Sequence, residues 1–173
     1  MSNKIKAYLI GNVVSSNESE AHQLYDKSNF GEIVKNKIQY SLVESLFLVW
    51  KNKMDILQKN KVLTEKEIQK KFQKIDKRFS LKYQVFEDLR EKGYIIKTAL
   101  KFGADFRVYE KGKKPGQAHA KWIVFIDSEN GRLTWHEFSA KNRVAHSTKK
   151  NLLLAIVDEE GDVSYYEVNW IRA

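Results

Sequence analysis

The pattern of apolar and polar residues changes character along the chain, and each change marks an element. The first forty residues hold one clear apolar stretch, YLIGNVV, among polar neighbours and read as short strands and loops. From Ser41 the segment SLVESLFLVW sets Leu42, Val43, Leu46, Phe47, Val49 and Trp50 mostly along one helical face, which predicts a buried helix. Thr64 and Glu67 form a T-x-x-E capping box, after which Ile68, Phe72, Ile75 and Phe79 recur at helical spacing with lysines between them. That is an amphipathic helix with a solvated lysine face. Ser80 is a candidate cap for a further helix through SLKYQVFEDLREKGY, with Leu81, Val85 and Leu89 as its stripe and Gly93 as a left-handed stop.

After Gly93 the texture turns to strands: YIIKTAL, ADFRVYE and KWIVFID, each bounded by glycine, proline or charged turn residues. A helix-like segment, HEFSAKNRVAHSTKK, precedes the continuous apolar run NLLLAIVD and a final alternating strand, VSYYEVNWI. The change near residue 80 predicts two domains, a small mixed one over 1–79 and a second over 80–173. The second reads as a small α/β sheet flanked by helices. No internal repeat or low-complexity segment interrupts either half.

Composition narrows the chemistry. With 42% hydrophobic and 31% charged residues the chain has an ordinary globular balance, and no apolar run approaches the roughly 20 residues that span a bilayer. A membrane association is not expected. The N-terminus has no long apolar core of a secretory signal, so a cytoplasmic location is expected. The absence of cysteine removes disulfides, thiolate zinc sites and a cysteine nucleophile together. His22, His119, His136 and His146 show no metal-ligand spacing, so neither a metal nor another cofactor is expected.

A net charge of +9 fits a polyanionic partner, although lysines on solvated helix faces account for such a charge equally well. Its distribution says more. Residues 101–150 hold 11 bases and 5 acids, whereas Asp158, Glu159, Glu160, Gly161 and Asp162 form an acidic tip. An acidic tip repels a nucleic acid, so it is expected to face protein or to lie away from the polyanion. In the basic region, Tyr109 ends a strand, a basic glycine-containing loop follows, and His119 leads into the next strand. Residues so placed can converge at a sheet edge, and each is equally compatible with a structural role. Lys150 follows a helical segment, where the helix dipole by itself favours a cation.

The run SLKYQVFEDLREKGYIIKTALKFGADFRVYEKG, then AHAKW, then RVAHSTKKNLLLAIVDEEGDVSYYEV, resembles the archaeal tRNA-splicing endonucleases in order and spacing, and SLVESLFL is similar to their N-terminal domain. The resemblance implies an α/β (α+β) fold in which a small mixed N-terminal domain precedes a restriction-endonuclease-like mixed sheet flanked by helices. It also implies metal-independent cleavage of precursor tRNA at bulge–helix–bulge intron boundaries, leaving 2′,3′-cyclic phosphate and 5′-hydroxyl ends. The family's catalytic tyrosine falls in FRVYE at Tyr109, its histidine in QAHAKW at His119 and its lysine in AHSTKKN at Lys150, with Lys149 as the neighbour to be told apart. By resemblance Tyr109 takes the 2′ proton, His119 protonates the departing 5′ oxygen and Lys150 stabilises the charged transition state. Free histidine titrates near about 6.5 and suits the acid role, whereas free tyrosine ionises only near about 10 and needs a cation beside it.

Arg143, in RVAHS, matches a family position that holds a bulged base. The readout suits RNA, because an A-form groove hides base edges while unpaired bases can stack on a guanidinium. Lys111, Lys113 and Lys114 are candidates for the RNA backbone or for a solvated loop. The segment of Asp158, Glu159, Glu160 and Asp162 matches a loop that inserts into a basic pocket of another subunit, and VSYYEVNW resembles a strand that pairs across a dimer interface. These features imply a homotetramer, a dimer of dimers. The alternatives are a catalytic subunit in a heterotetramer with a structural subunit, and a non-catalytic basic RNA-binding module.

Overall fold

The computed structural model describes residues 4–172, and the chain divides into two compact units, residues 1–80 and 81–173. In the first unit β1 (Ile5–Ile10) and β2 (Val13–Ser16) precede α1 (Ser19–Ser28), β3 (Glu32–Val34) and β4 (Lys37–Tyr40). Then follow α2 (Leu42–Trp50), β5 (Met54–Gln58), β6 (Lys61–Val62) and α3 (Glu65–Ile75). The strands form one sheet ordered β3-β4-β2-β1-β5-β6, in which β1 and β5 run parallel and the other pairs antiparallel. Alternate residues Ile5, Ala7 and Leu9 of β1 are buried while Tyr8 and Ile10 are exposed, as expected of a sheet with one covered face.

Helix α1 lies where short strands and loops were expected. Only Ala21 of its residues is buried, so its apolar stripe is too thin to signal a helix in the sequence. Helix α2 forms as its pattern predicts, with a reciprocal capping box between Ser41 and Glu44, although Trp50 is exposed rather than packed. The Glu44 carboxylate also accepts from the Gly31 backbone N–H at 3.0 Å, tying α2 to the turn before β3. Gly31 has φ +77°, and a Cβ there would press on Ile38 and lie 3.0 Å from the Gln39 carbonyl oxygen. Gly31→Ala is therefore expected to cost about 2–4 kcal/mol, from backbone strain and overpacking combined. Urea unfolding followed by circular dichroism measures it, and an unchanged midpoint contradicts it.

The Thr64–Glu67 capping box opens α3, and the Glu67 carboxyl is pushed down to about 2, chiefly by its hydrogen bond from Lys61 and then by those from Thr64. The apolar repeat Ile68, Phe72, Ile75, Phe79 does not belong to one helix: α3 stops at Ile75 and α4 spans Phe79–Glu91. Asp76 makes the break, its carboxylate accepting from the Arg78 N–H and its carbonyl from the Phe79 N–H, both at 2.9 Å. Ser80 thus sits inside the first turn of α4 rather than capping it. Gly93, at φ +90°, ends the helical path as expected.

In the second unit β7 (Ile95–Ala99), a short 3₁₀ turn (Leu100–Phe102) and β8 (Ala104–Tyr109) form an antiparallel pair. β9 (Trp122–Ser128), α5 (Trp135–Ser147), β10 (Asn151–Val157) and β11 (Val163–Val168) complete it. The mixed sheet is ordered β11-β10-β9-β8-β7, with β9 and β10 parallel. Alternation along the strands splits the core between the two faces. Ile123, Phe125 and Leu152 pack with Ala145 of α5, while Phe86 of α4 meets Phe106 of β8 with ring centroids 6.1 Å apart. This is the mixed α/β architecture expected, a small N-terminal sheet unit and a C-terminal mixed sheet flanked by helices.

Candidate active site

Three adjacent strands bring the candidate residues together. β9 and β10 are parallel and begin side by side, with Trp122 opposite Asn151, while antiparallel β8 finishes at the same edge, with Val108 opposite Trp122. The end of β8 and the approaches to β9 and β10 therefore share one edge of the sheet. Tyr109 closes β8, His119 stands three residues before β9 and Lys150 stands one residue before β10. All three line one cleft of about 380 Å³, together with Phe102, Arg107 and the loop residues Gly116 to Ala120.

Each is held differently. Tyr109 is buried. His119 is exposed on the loop between β8 and β9, which is built of turns: the Lys113 N–H donates to Glu110, and the Gln117 and Ala118 N–H groups both donate to Lys114. Buried Ala120 anchors the end of that loop, and an ion pair of 2.9 Å between Lys121 and Glu110 ties its two ends. Lys150 is placed by the end of α5. The Lys149 N–H donates to His146 and the Lys150 N–H to Ala145, the paired bonds of a Schellman turn, with Lys149 left-handed at φ 56°.

That turn separates the two neighbouring lysines. Lys149 is exposed and absent from the cleft lining, whereas Lys150 is half-buried in it, donates to the Thr148 carbonyl at 2.9 Å and lies 5.5 Å from the Phe102 ring centroid. Burial, and then the Arg107 guanidinium, hold the Lys150 ammonium below the usual lysine range. A glycine suits the left-handed position better than lysine does. Lys149→Gly is expected to stabilise the fold by about 1 kcal/mol and to leave the rate of any reaction in the cleft unchanged, as melting curves and activity assays would show. A fall in rate would mean that the turn's side chain, not only its backbone, serves the cleft.

The chain belongs to the tRNA intron endonuclease family. The family's catalytic C-terminal domain, described as "tRNA intron endonuclease, catalytic C-terminal domain", matches residues 79–165, and its N-terminal domain matches residues 5–69. A Pyrococcus horikoshii protein named tRNA-splicing endonuclease is 41% identical over 173 residues, covering 99% of both chains. One of the same name from Thermococcus gammatolerans is 40% identical over 95% of this chain and 97% of its own. A third, from Nanoarchaeum equitans, is 42% identical over 75% of this chain and 86% of its own. Their agreement extends through both units of this tRNA intron endonuclease family member.

Other residues singled out in the sequence fall outside the cleft. Arg143 is exposed on α5, one turn before His146, whose ring lies 4.6 Å from that of Trp170. Lys111 places its ammonium 5.0 Å from the Tyr94 ring centroid, an occupation other than a free loop charge. The acidic residues form the turn between β10 and β11, at the far end of β10 from Lys150, roughly 25 Å away at the rise of a strand. Within that turn the Asp158 carboxylate accepts from the backbone N–H groups of Glu160 and Asp162, both at 2.9 Å, while Glu159, Glu160 and Asp162 are exposed. Sequence reasoning passed over Arg107 and Phe102 in the lining. Arg107 had one legible signal: it lies two residues before Tyr109 on the same strand and so on the same side of the sheet.

Proposed function

We propose that this protein is a tRNA-splicing endonuclease that cuts precursor tRNA at bulge–helix–bulge intron boundaries by metal-independent transesterification. One observation carries the reading: a tyrosine, a histidine and a lysine line one cleft with no Asp or Glu among its described lining residues. Such a cleft suits an anionic phosphate, and the three groups match the needs of an internal nucleophile.

The 2′-hydroxyl of the RNA attacks the adjacent phosphorus as Tyr109 takes its proton. The 2′-O–P bond forms and the P–O5′ bond breaks, giving a 2′,3′-cyclic phosphate, while His119 delivers a proton to the departing 5′ oxygen. Lys150 meets the charge that builds on the non-bridging oxygens. Outside the cleft, Arg143 is the candidate contact for a bulged base, since a guanidinium can stack on an unpaired ring.

Two bulges require two cuts. The distance between the acidic turn and the cleft of the same chain supports a role for Asp158, Glu159, Glu160 and Asp162 in contacting a second copy, and a homotetramer arranged as a dimer of dimers supplies two sites at fixed separation. The purified chain incubated with a bulge–helix–bulge RNA in the presence of a chelator tests the reading. Cyclic-phosphate and 5′-hydroxyl ends at both bulges are expected. Binding without cleavage contradicts the enzymatic reading, and cleavage abolished by the chelator contradicts the metal-independent one. A solution mass of one chain, inactive until another subunit is added, contradicts the homotetramer.

A further inference from the structure

Arg107 shares the cleft with Tyr109, His119 and Lys150. Its place there follows from strand geometry. Residues two apart on a strand point to the same side, so Arg107 and Tyr109 share a face of β8. Arg107 pairs with Ile123, which pairs with Leu152, and Lys150 lies two residues before Leu152. The two cations therefore approach the cleft from the side of the sheet that α5 covers, Arg107 from within a strand and Lys150 from the turn at the helix end.

Two like charges share this half-buried cleft, and each raises the cost of keeping the other charged. Arg107 is indeed a cause of the lowered affinity of Lys150 for its proton. A phosphodiester in the cleft eases that repulsion. Its two non-bridging oxygens match the planar fork of a guanidinium, which stays charged at any working pH, while an ammonium supplies a single compact charge.

We infer that Arg107 is a further catalytic residue, gripping the non-bridging oxygens of the RNA phosphate together with Lys150. The assignment rests on the RNA-cleaving reading above and adds to it a group that the tyrosine, histidine and lysine do not supply. Arg107 fixes the phosphate against in-line attack and shares the charge that grows as the 2′ oxygen adds.

Single-turnover cleavage of a bulge–helix–bulge RNA by the full chain and by Arg107→Ala tests this. The variant is expected to cleave about 10- to 100-fold more slowly, the scale of losing one charged donor at a transition state. Its affinity for the same RNA carrying a 2′-deoxy residue at the cut, which cannot react, is expected to fall by a smaller factor than the rate, because the charge that Arg107 shares grows only in the transition state. Millimolar guanidinium ion, but not the same concentration of sodium, is expected to restore part of the rate by filling the vacated place. A wild-type rate for Arg107→Ala overturns the assignment. So does a slow rate that guanidinium leaves untouched while the melting temperature drops, because that is the behaviour of a structural prop. Should Arg107→Ala fail to fold, Arg107→Gln decides: a slowed rate at an unchanged melting temperature supports the assignment and a wild-type rate overturns it. If the unaltered chain leaves the RNA intact, the RNA-cleaving reading falls and the role of Arg107 with it; if it cleaves and the variants match it, only Arg107 is excluded.

Discussion

Replacing Lys150 with alanine is expected to slow single-turnover cleavage of a bulge–helix–bulge RNA by about two to three orders of magnitude, with the melting profile preserved. The magnitude is that of removing a preorganised charge from the point where negative charge develops. The fold should tolerate the loss, because Lys150 is only half-buried and the one described hydrogen bond of its side chain is to the Thr148 carbonyl two residues back. Rapid-quench measurement of Lys150→Ala, with Lys149→Ala as the comparison, checks the expectation; an undiminished rate for the first would remove Lys150 from the machinery. The pH dependence follows from the same side chain. Burial and Arg107 lower its affinity for a proton, so it is charged below its folded pKa and neutral above it. A rate that depends on the ammonium is thus full on the acid side of that value and falls as pH rises through it, at a lower pH than for a free lysine, which titrates near about 10.4. Lys150→Arg keeps its charge throughout and should lose that alkaline decline whatever its absolute rate.

His119→Ala is expected to lose about two to four orders of magnitude in rate on ordinary RNA, the usual worth of a positioned general acid. His119 is exposed and its loop is held by backbone turns and by the Lys121–Glu110 pair, so the substitution leaves its supports in place. A chemical bypass separates the acid role from simple binding. An RNA whose 5′ leaving oxygen is replaced by sulfur expels a thiolate, which needs little protonation because thiols ionise near about 8.5. The variant should cleave that substrate at nearly the rate of the unaltered protein. Equal impairment on both substrates would leave His119 as a binding residue and require another proton donor.

Most of the elements were legible because their signals are local. The box of Thr64 and Glu67 marked α3, and S-L-V-E at Ser41 and T-W-H-E at Thr134 carry the same signature and open α2 and α5 in the same way. Period-two and continuous apolar runs marked β7 to β11, though β11 stops at Val168, short of the full alternating run. Failures came where the local signal was thin or shared. Helix α1 buries a single alanine, so nothing apolar announced it. The stripe from Ile68 to Phe79 looked like one helix because its spacing survives the Asp76 break. For the candidate site, Tyr109, His119 and Lys150 were named through resemblance to a family; their own chemistry left each compatible with an ordinary structural place.

The order of residues along this chain was enough for the strands of the second unit, the Thr64 cap and the basic balance, since each depends on neighbours within a few positions or on composition alone. It also contained the three candidate side chains, but as scattered ones. Their meeting is a tertiary matter. Parallel pairing of β9 with β10, beside antiparallel β8, places the finish of one strand and the approaches to two others at one edge of the sheet. The choice of Lys150 over Lys149 likewise came from resemblance, not from two identical letters. A left-handed turn at the end of α5 leaves the first in solvent and places the second in the cleft, because backbone dihedrals, not residue type, determine where a side chain lies. Arg107 came to light the same way: strand register and the turn at the end of α5 bring its charge and that of Lys150 to one cleft.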